Sequence, residues 1–236
     1  MTTPTICVVI AAYNEEKYLP KTLESLENQT DKDFSVIVVD NNSTDQTAAI
    51  AKKYGAKVIK EERQGVVFAL NAGMHEAKSD VIAMTDADTT VLSNWVASIR
   101  KRFEDNRIVG ATGSIKLEGP LLYRILGSFF YNVFLIIHEK IAKPHLIGFN
   151  FAVRKDTFEK IGGMNERYTM SPDVEVGLRL KELGKVVFIR DMVVVPNMRR
   201  FKSGLLKTIY EYGLGYVYTI WLRRPPPVKQ KVIRNK

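Results

Sequence analysis

The sequence predicts an α/β fold: a doubly wound, mostly parallel sheet with helices on both faces. Three observations carry that prediction. Apolar runs such as Thr5–Ala12, Phe34–Val39 and Val81–Thr85 are continuous rather than alternating, as strands buried on both faces must be. Segments of helical period separate these runs, which is the pattern of crossover units. The chain has 236 residues and 45% hydrophobic content, enough for one sizeable core.

Taken in order, Thr5–Ala12 is the first buried strand. Asn14-Glu15-Glu16 then opens a helix, because Tyr18, Leu19, Thr22, Leu23 and Leu26 fall on one helical face. Phe34–Val39 is the second strand and ends at Asp40. In the polar turn Asn41–Asp45, Ser43 or Thr44 is the expected cap of a helix through Ala48, Ala49, Ile50 and Tyr54, closed by Gly55. Lys57–Lys60 is a short third strand, and a helical segment over Val66–Ala77 leads into the Val81–Thr85 strand.

Composition narrows the classes. A single cysteine, Cys7, lies inside an apolar run, so there is no disulfide framework and no thiolate metal site, and a reducing, cytoplasmic setting is expected. The apolar stretch at the N-terminus is too short for a signal peptide or a span. The formal charge of +9 is concentrated beyond residue 200, where eight Lys or Arg face one acid. A basic tail on a near-neutral body suits an anionic surface, such as the inner face of a cell membrane. Nucleic acid ranks last, because no base-reading motif occurs in the body.

The chemistry concentrates at V-I-A-M-T-D-A-D-T-T, residues 81–90, where a buried strand delivers Asp86 and Asp88 to its C-terminal end. That edge of an open α/β sheet is where ligands bind. Two hard oxygen ligands there suit Mg²⁺ or Mn²⁺, completed by water and a substrate diphosphate; a pair of turn or cap aspartates is the alternative. No G-x-G-x-x-G or G-x-x-x-x-G-K-[ST] occurs, which removes the best evidence for a dehydrogenase or a P-loop enzyme. Ala12-Tyr13-Asn14-Glu15 stands there instead, with an aromatic able to stack on a base. Asp40 adds a carboxylate on the same rim.

Six ordered blocks resemble the family 2 glycosyltransferases of the GT-A fold: VVIAAYNEEKYLPKTLESLENQT, VIVVDNNSTDQTAAIAKKYG, GVVFALNAG, MTDADTT, GFNFAVRKDTFEKIGGMNERY and SPDVEVGLRLKELG. The resemblance covers roughly residues 5–200. It implies a catalytic domain over residues 1–200, while composition makes residues 201–236 a basic, aromatic C-terminal helix and tail. It also implies inverting transfer of one sugar from a UDP- or GDP-sugar to a hydroxyl or phosphate. Ala12, Tyr13 and Glu15 would border the nucleotide and Asp40 its base. Asp86 would lie by the ribose and diphosphate, Asp88 would bind the metal, and Asp173 would be the general base. Gly148-Phe149-Asn150 would floor the sugar pocket. Asn165 and Glu166 would reach substrate, and Glu175, four residues before Arg179, would support the acceptor site.

Departures from the family pattern sharpen the expectations. Leu70 stands where relatives carry an arginine, making Arg63 or Lys60 the substitute for diphosphate or base contacts. Pro172 replaces the usual Glu before Asp173. Where many relatives place a metal-binding histidine after the last strand, this chain has Asn197, then Arg199 and Arg200, which can clamp a diphosphate. The Q-x-x-R-W pattern of processive synthases is absent. Two competing classes remain: a nucleotide-sugar-binding relative without turnover, and a sugar nucleotidyltransferase, whose Gly-rich triphosphate loop is missing.

Two segments read as partner surfaces. Pro120–Ile137 is strongly apolar but holds Arg124 and Asn132, so it reads as a core or interfacial helix rather than a span. Gly204–Leu222 carries four tyrosines and Trp221 ahead of Arg223-Arg224 and a proline stop, a pattern for a membrane interface, for docking on the domain, or for a homodimer. A polyprenyl phosphate or lipid-linked glycan is the acceptor this suggests.

Overall fold

The computed structural model describes residues 3–197, 199 and 205–227. Eight strands form one sheet in the order β3-β2-β1-β4-β7-β6-β8-β5. The strands β1 (Ile6–Ala12), β2 (Phe34–Asp40), β3 (Lys57–Lys60) and β4 (Val81–Met84) pair in parallel. Between them run α1 (Leu19–Glu27), α2 (Thr47–Lys53) and α3 (Val66–Glu76). This is the predicted doubly wound half. The second half contains β5 (Thr89–Val91), α4 (Trp95–Phe103), β6 (Ile108–Ile115), α5 (Leu121–Lys140), β7 (Phe151–Arg154), α6 (Lys155–Lys160), α7 (Pro172–Leu180), β8 (Lys185–Pro196) and α8 (Leu205–Tyr216). In it β7 runs antiparallel to both β4 and β6, and β5 runs antiparallel to β8.

The period of two along β1 divides the core. Val8, Ile10 and Ala12 face a layer with Leu19, Leu23, Trp95 and Phe103, while Cys7 and Val9 face one with Met74, Phe151 and Phe158. Cys7 is a fully buried core residue, and burial pushes its thiol up, away from reactivity.

Two local expectations are corrected. The helix after β1 starts at Leu19, because Asn14 takes a left-handed φ of 54° that interrupts helical geometry. Neither Ser43 nor Thr44 caps α2, which begins at Thr47. The Ser43 hydroxyl instead accepts the Asn14 N–H at 3.0 Å, and Asn14 Oδ1 accepts the Thr44 N–H at 2.8 Å. Those side chains serve to zip two loops together.

α8 docks on the body. Its Tyr216, with Ile220 in the π-helical turn that follows (Val217–Trp221), packs against Val174 and Leu178 of α7. The Tyr216 hydroxyl also bonds His138 of α5 at 2.9 Å. Among the described residues no helix is long and apolar enough to cross a membrane.

Candidate active site

Register brings the candidate residues to one edge of the sheet. Ala12 pairs with Asp40 at the ends of β1 and β2, and β4 delivers Asp86 and Asp88 just past Met84. Met84 faces Phe151 across an antiparallel pair, so the residues preceding Phe151, including Gly148, leave the sheet at that same edge. The Gly148 N–H reaches the Asp173 carboxylate, which joins the first turn of α7 to this rim. A Cβ on Gly148 would sit 3.2 Å from Asp173 Oδ2, so a glycine here lets the carboxylate lie close against the backbone.

The nucleotide-side loops are braced through side chains. The Thr47 hydroxyl accepts the Glu15 N–H at 2.8 Å and Asp45 accepts the Glu16 N–H at 3.1 Å, while Asp40 Oδ1 accepts the Ser43 N–H at 3.1 Å. Asn41 ties in a third loop: its amide donates to the carbonyls of Glu61 and Arg63, and its Oδ1 accepts the Gly65 N–H at 2.7 Å. Tyr13 is half-buried on this rim.

Asp86 is exposed and Asp88 half-buried in a turn closed by the Thr89 N–H donating to the Asp86 carbonyl at 3.2 Å. Arg199, entering after β8, donates from Nε to Asp88 Oδ2 at 2.8 Å and pairs through Nη2 with Glu15, with its guanidinium 4.6 Å from the Tyr18 ring centre. Two carboxylates therefore share one guanidinium. Burial pushes the Glu15 carboxyl up and Arg199 opposes it. Arg200 lies outside the described residues.

The residues fit a divalent cation. Asp86 and Asp88 are hard oxygen donors, and the Glu15 carboxylate, which shares Arg199 with Asp88, keeps Oε2 buried with no hydrogen-bond partner among the described residues. No group of three His, Cys, Asp or Glu able to cage a metal occurs among the described residues, so an ion here needs substrate oxygens, as Mg²⁺ commonly does.

Burial raises the Asp173 carboxyl to about 6, against the N–H groups of Val174, Asp173 and Gly148, which hold it down. Glu175 and Arg179 pair at 2.6 Å, and Arg179 also donates to the Ile161 and Gly163 carbonyls. Asn71 grips Met164 twice, at 3.0 and 2.8 Å. These two anchors fix the 161–168 turn, a role no local sequence signal reveals. Within that turn Asn165 is half-buried and its Oδ1 accepts the Arg167 N–H, while Glu166 is exposed and pairs with Arg63 at 3.1 Å.

Two residues singled out from the sequence, Arg63 and Asn150, have their side chains engaged within the protein, and Leu70 offers no polar group. Arg63 is taken up by Glu61 and Glu166 and stacks on Phe68 at 4.6 Å, so it bridges two loops in this conformation. Leu70, at the missing-arginine position, is a buried core residue. Asn150 is fully buried and spent on the fold: it accepts from Trp95 Nε1 at 2.9 Å and donates to the carbonyls of Ser114 and Met192 at 3.0 Å each. Its side-chain amide is thus engaged within the fold and is not exposed to a ligand. A separate hollow of about 350 Å³, lined by Leu23, Phe34, Tyr54 and Lys57 among others, has no carboxylate constellation of this kind.

The profile of the family described as glycosyl transferase family 2 matches residues 7–162. The chain belongs to this family. Among similar proteins, glycosyltransferase AglE of Haloferax volcanii is 25% identical over 231 residues, spanning 94% of this chain and 75% of AglE. A probable glycosyltransferase of Bacillus subtilis, YdaM, is 29% identical over 77% of this chain, which spans only 47% of YdaM. Among solved structures, the Pyrobaculum calidifontis mannosyltransferase PcManGT, in complex with GDP-Man and Mn²⁺, superposes with a TM-score of 0.78 at 20% identity, over 96% of this chain and 67% of its own. TarS of S. aureus, in complex with UDP-GlcNAc, gives 0.64 at 18% identity, over 81% of this chain and 58% of its own. Likeness at these identities establishes the GT-A fold of this family 2 domain.

Proposed function

We propose that this family 2 glycosyltransferase moves one sugar, with inversion, from a nucleoside-diphosphate sugar to an acceptor hydroxyl or phosphate. What supports the reading above all is that the Asp86–Asp88 pair and Asp173, whose carboxyl is raised to about 6, share one sheet edge. Ala12, Tyr13 and Asp40 receive the nucleoside. Asp88, with Asp86 beside it, holds Mg²⁺ or Mn²⁺, which when bound neutralises charge on the departing diphosphate. Arg199 adds a guanidinium next to these carboxylates. Asp173, mostly ionised at neutral pH, removes the acceptor proton as the acceptor oxygen bonds to the anomeric carbon and the bond to the diphosphate breaks. A single displacement of this kind inverts the anomeric centre. The turn holding Asn165 and Glu166, braced through Glu175 and Arg179, borders the acceptor, for which a lipid carrier is the proposed class: a lipid-linked glycan, whose hydroxyl proton Asp173 takes, or a polyprenyl phosphate, whose ionised oxygen attacks without that proton transfer. The GDP-Man and UDP-GlcNAc complexes of PcManGT and TarS motivate both nucleotides as donor candidates.

The test is release of nucleoside diphosphate from a panel of UDP- and GDP-sugars with Mn²⁺. One donor should be consumed by the wild type and spared by Asp88→Asn and Asp173→Asn. A donor that binds tightly but is never consumed would make the chain a nucleotide-sugar-binding relative.

A further inference from the structure

We infer that the outer face of α5, with the exposed aromatic groups of the neighbouring α8, is a docking surface for an anionic lipid bilayer. The inference deepens the transfer reading above, on which it rests for its consequence: the acceptor is delivered from the lipid.

α5 is apolar on two faces. At 100° per residue, Leu135 and His138 fall on the side that packs inward, and both are buried. Leu122, Ile125, Leu126, Phe129 and Phe130 fall on the opposite half and are 44–70% exposed. With Ile137 they extend the strip over roughly 22 Å at 1.5 Å per residue. An exposed apolar strip this continuous marks an interaction surface rather than scattered surface residues.

Charge selects the occupant. Arg124 and Lys140 lie on the same helix, Lys143 sits 3.0 Å from the Trp221 ring centre, and exposed Arg223 and Arg224 follow Trp221. The sequence continues with Lys229, Lys231, Arg234 and Lys236. A second copy seated on this face would oppose cation to cation in a chain of net charge +9. An apolar strip with a cationic rim and exposed Trp221 and Tyr210 matches an interfacial helix on anionic lipid. The inner side of α5 bonds His138 to Tyr216 of α8, and Tyr216 packs on Val174 and Leu178 of α7, the helix that carries Asp173. A docked α5 is therefore linked through packed side chains to the helix that carries the base.

Flotation of the full chain with vesicles of phosphatidylcholine alone, or with 30% phosphatidylglycerol, tests this. The chain should float with the anionic vesicles at least tenfold better than with the neutral ones. Leu122→Ser/Phe130→Ser, at exposed positions, should cut that partition about tenfold while keeping the wild-type nucleotide-induced thermal shift. Arg223→Glu/Arg224→Glu should remove the preference for anionic lipid. No flotation, or flotation unchanged in the Leu122/Phe130 variant, overturns the inference. So does a lipid-free dimer that the same variant converts to monomer. Because donor binding is read separately, failure here leaves the transfer reading standing, and loss of donor binding in every protein would strike that reading alone.

Discussion

Replacing Asp173 by Asn should stabilise the protein at alkaline pH while destroying turnover. Below 3.8 the carboxyl is neutral in both folded and unfolded chains; between 3.8 and about 6 the unfolded chain loses its proton while the folded chain keeps it; above about 6 the full cost of holding a desolvated carboxylate is present. Moving a carboxyl from 3.8 to about 6 corresponds to about 3 kcal/mol. The side chain is partly exposed, and solvent screening brings the expected gain to about 1–2 kcal/mol. For a chain of this size that raises Tm by about 3–6 °C. Thermal unfolding of both proteins from pH 4 to 8 is the assay, with the gain present at pH 8 and shrinking toward zero at pH 4. In the wild type, kcat/KM should climb through about pH 6 as the base ionises. A variant no more stable than wild type at pH 8, or equally stabilised at both ends of the range, would refute the claim that Asp173 is a desolvated base.

Other outcomes follow from single contacts. Asn150→Leu strands the Trp95 indole N–H and two carbonyls, so chemical denaturation should show a loss of about 3 kcal/mol or more, where a residue that only touched sugar would lose activity alone. Gly113→Ala places a Cβ 2.0 Å from the Met192 carbonyl, and soluble yield or Tm should collapse because backbone must move. Arg199→Gln removes the guanidinium that Asp88 and Glu15 share. Calorimetry should then find nucleotide-free Mn²⁺ binding strengthened, together with a stability loss of about 3 kcal/mol from the uncompensated Glu15.

The parallel half was readable because strands covered on both faces must be continuously apolar, and β1 to β4 match their expected bounds to within a residue. Asp86 and Asp88 were legible for the same reason: a polar pair ending an apolar run marks the strand terminus. What local pattern could not disclose is pairing across distance. The grip of Arg199 on Asp88 and Glu15, of Asn71 on Met164, and of Asn150 on Trp95 joins residues 55 or more positions apart, and no periodicity records such contacts. Asn150 illustrates the cost: motif position suggested a sugar contact, whereas burial assigns it to the fold. Ser43 likewise looked like a helix cap because the local rule cannot see Asn14 approaching from another loop.

Whether Asp88 holds a metal-nucleotide complex is read directly by thermal shift with nucleoside diphosphates, with and without Mn²⁺, on wild type and Asp88→Asn. A nucleotide at 100 times its Kd adds about 2.7 kcal/mol, or about 5–10 °C here. UDP or GDP should give that shift, dependent on Mn²⁺ and lost in the variant. A wild type that no nucleotide stabilises, or an Asp88→Asn protein shifted as fully as wild type, would contradict that role of Asp88.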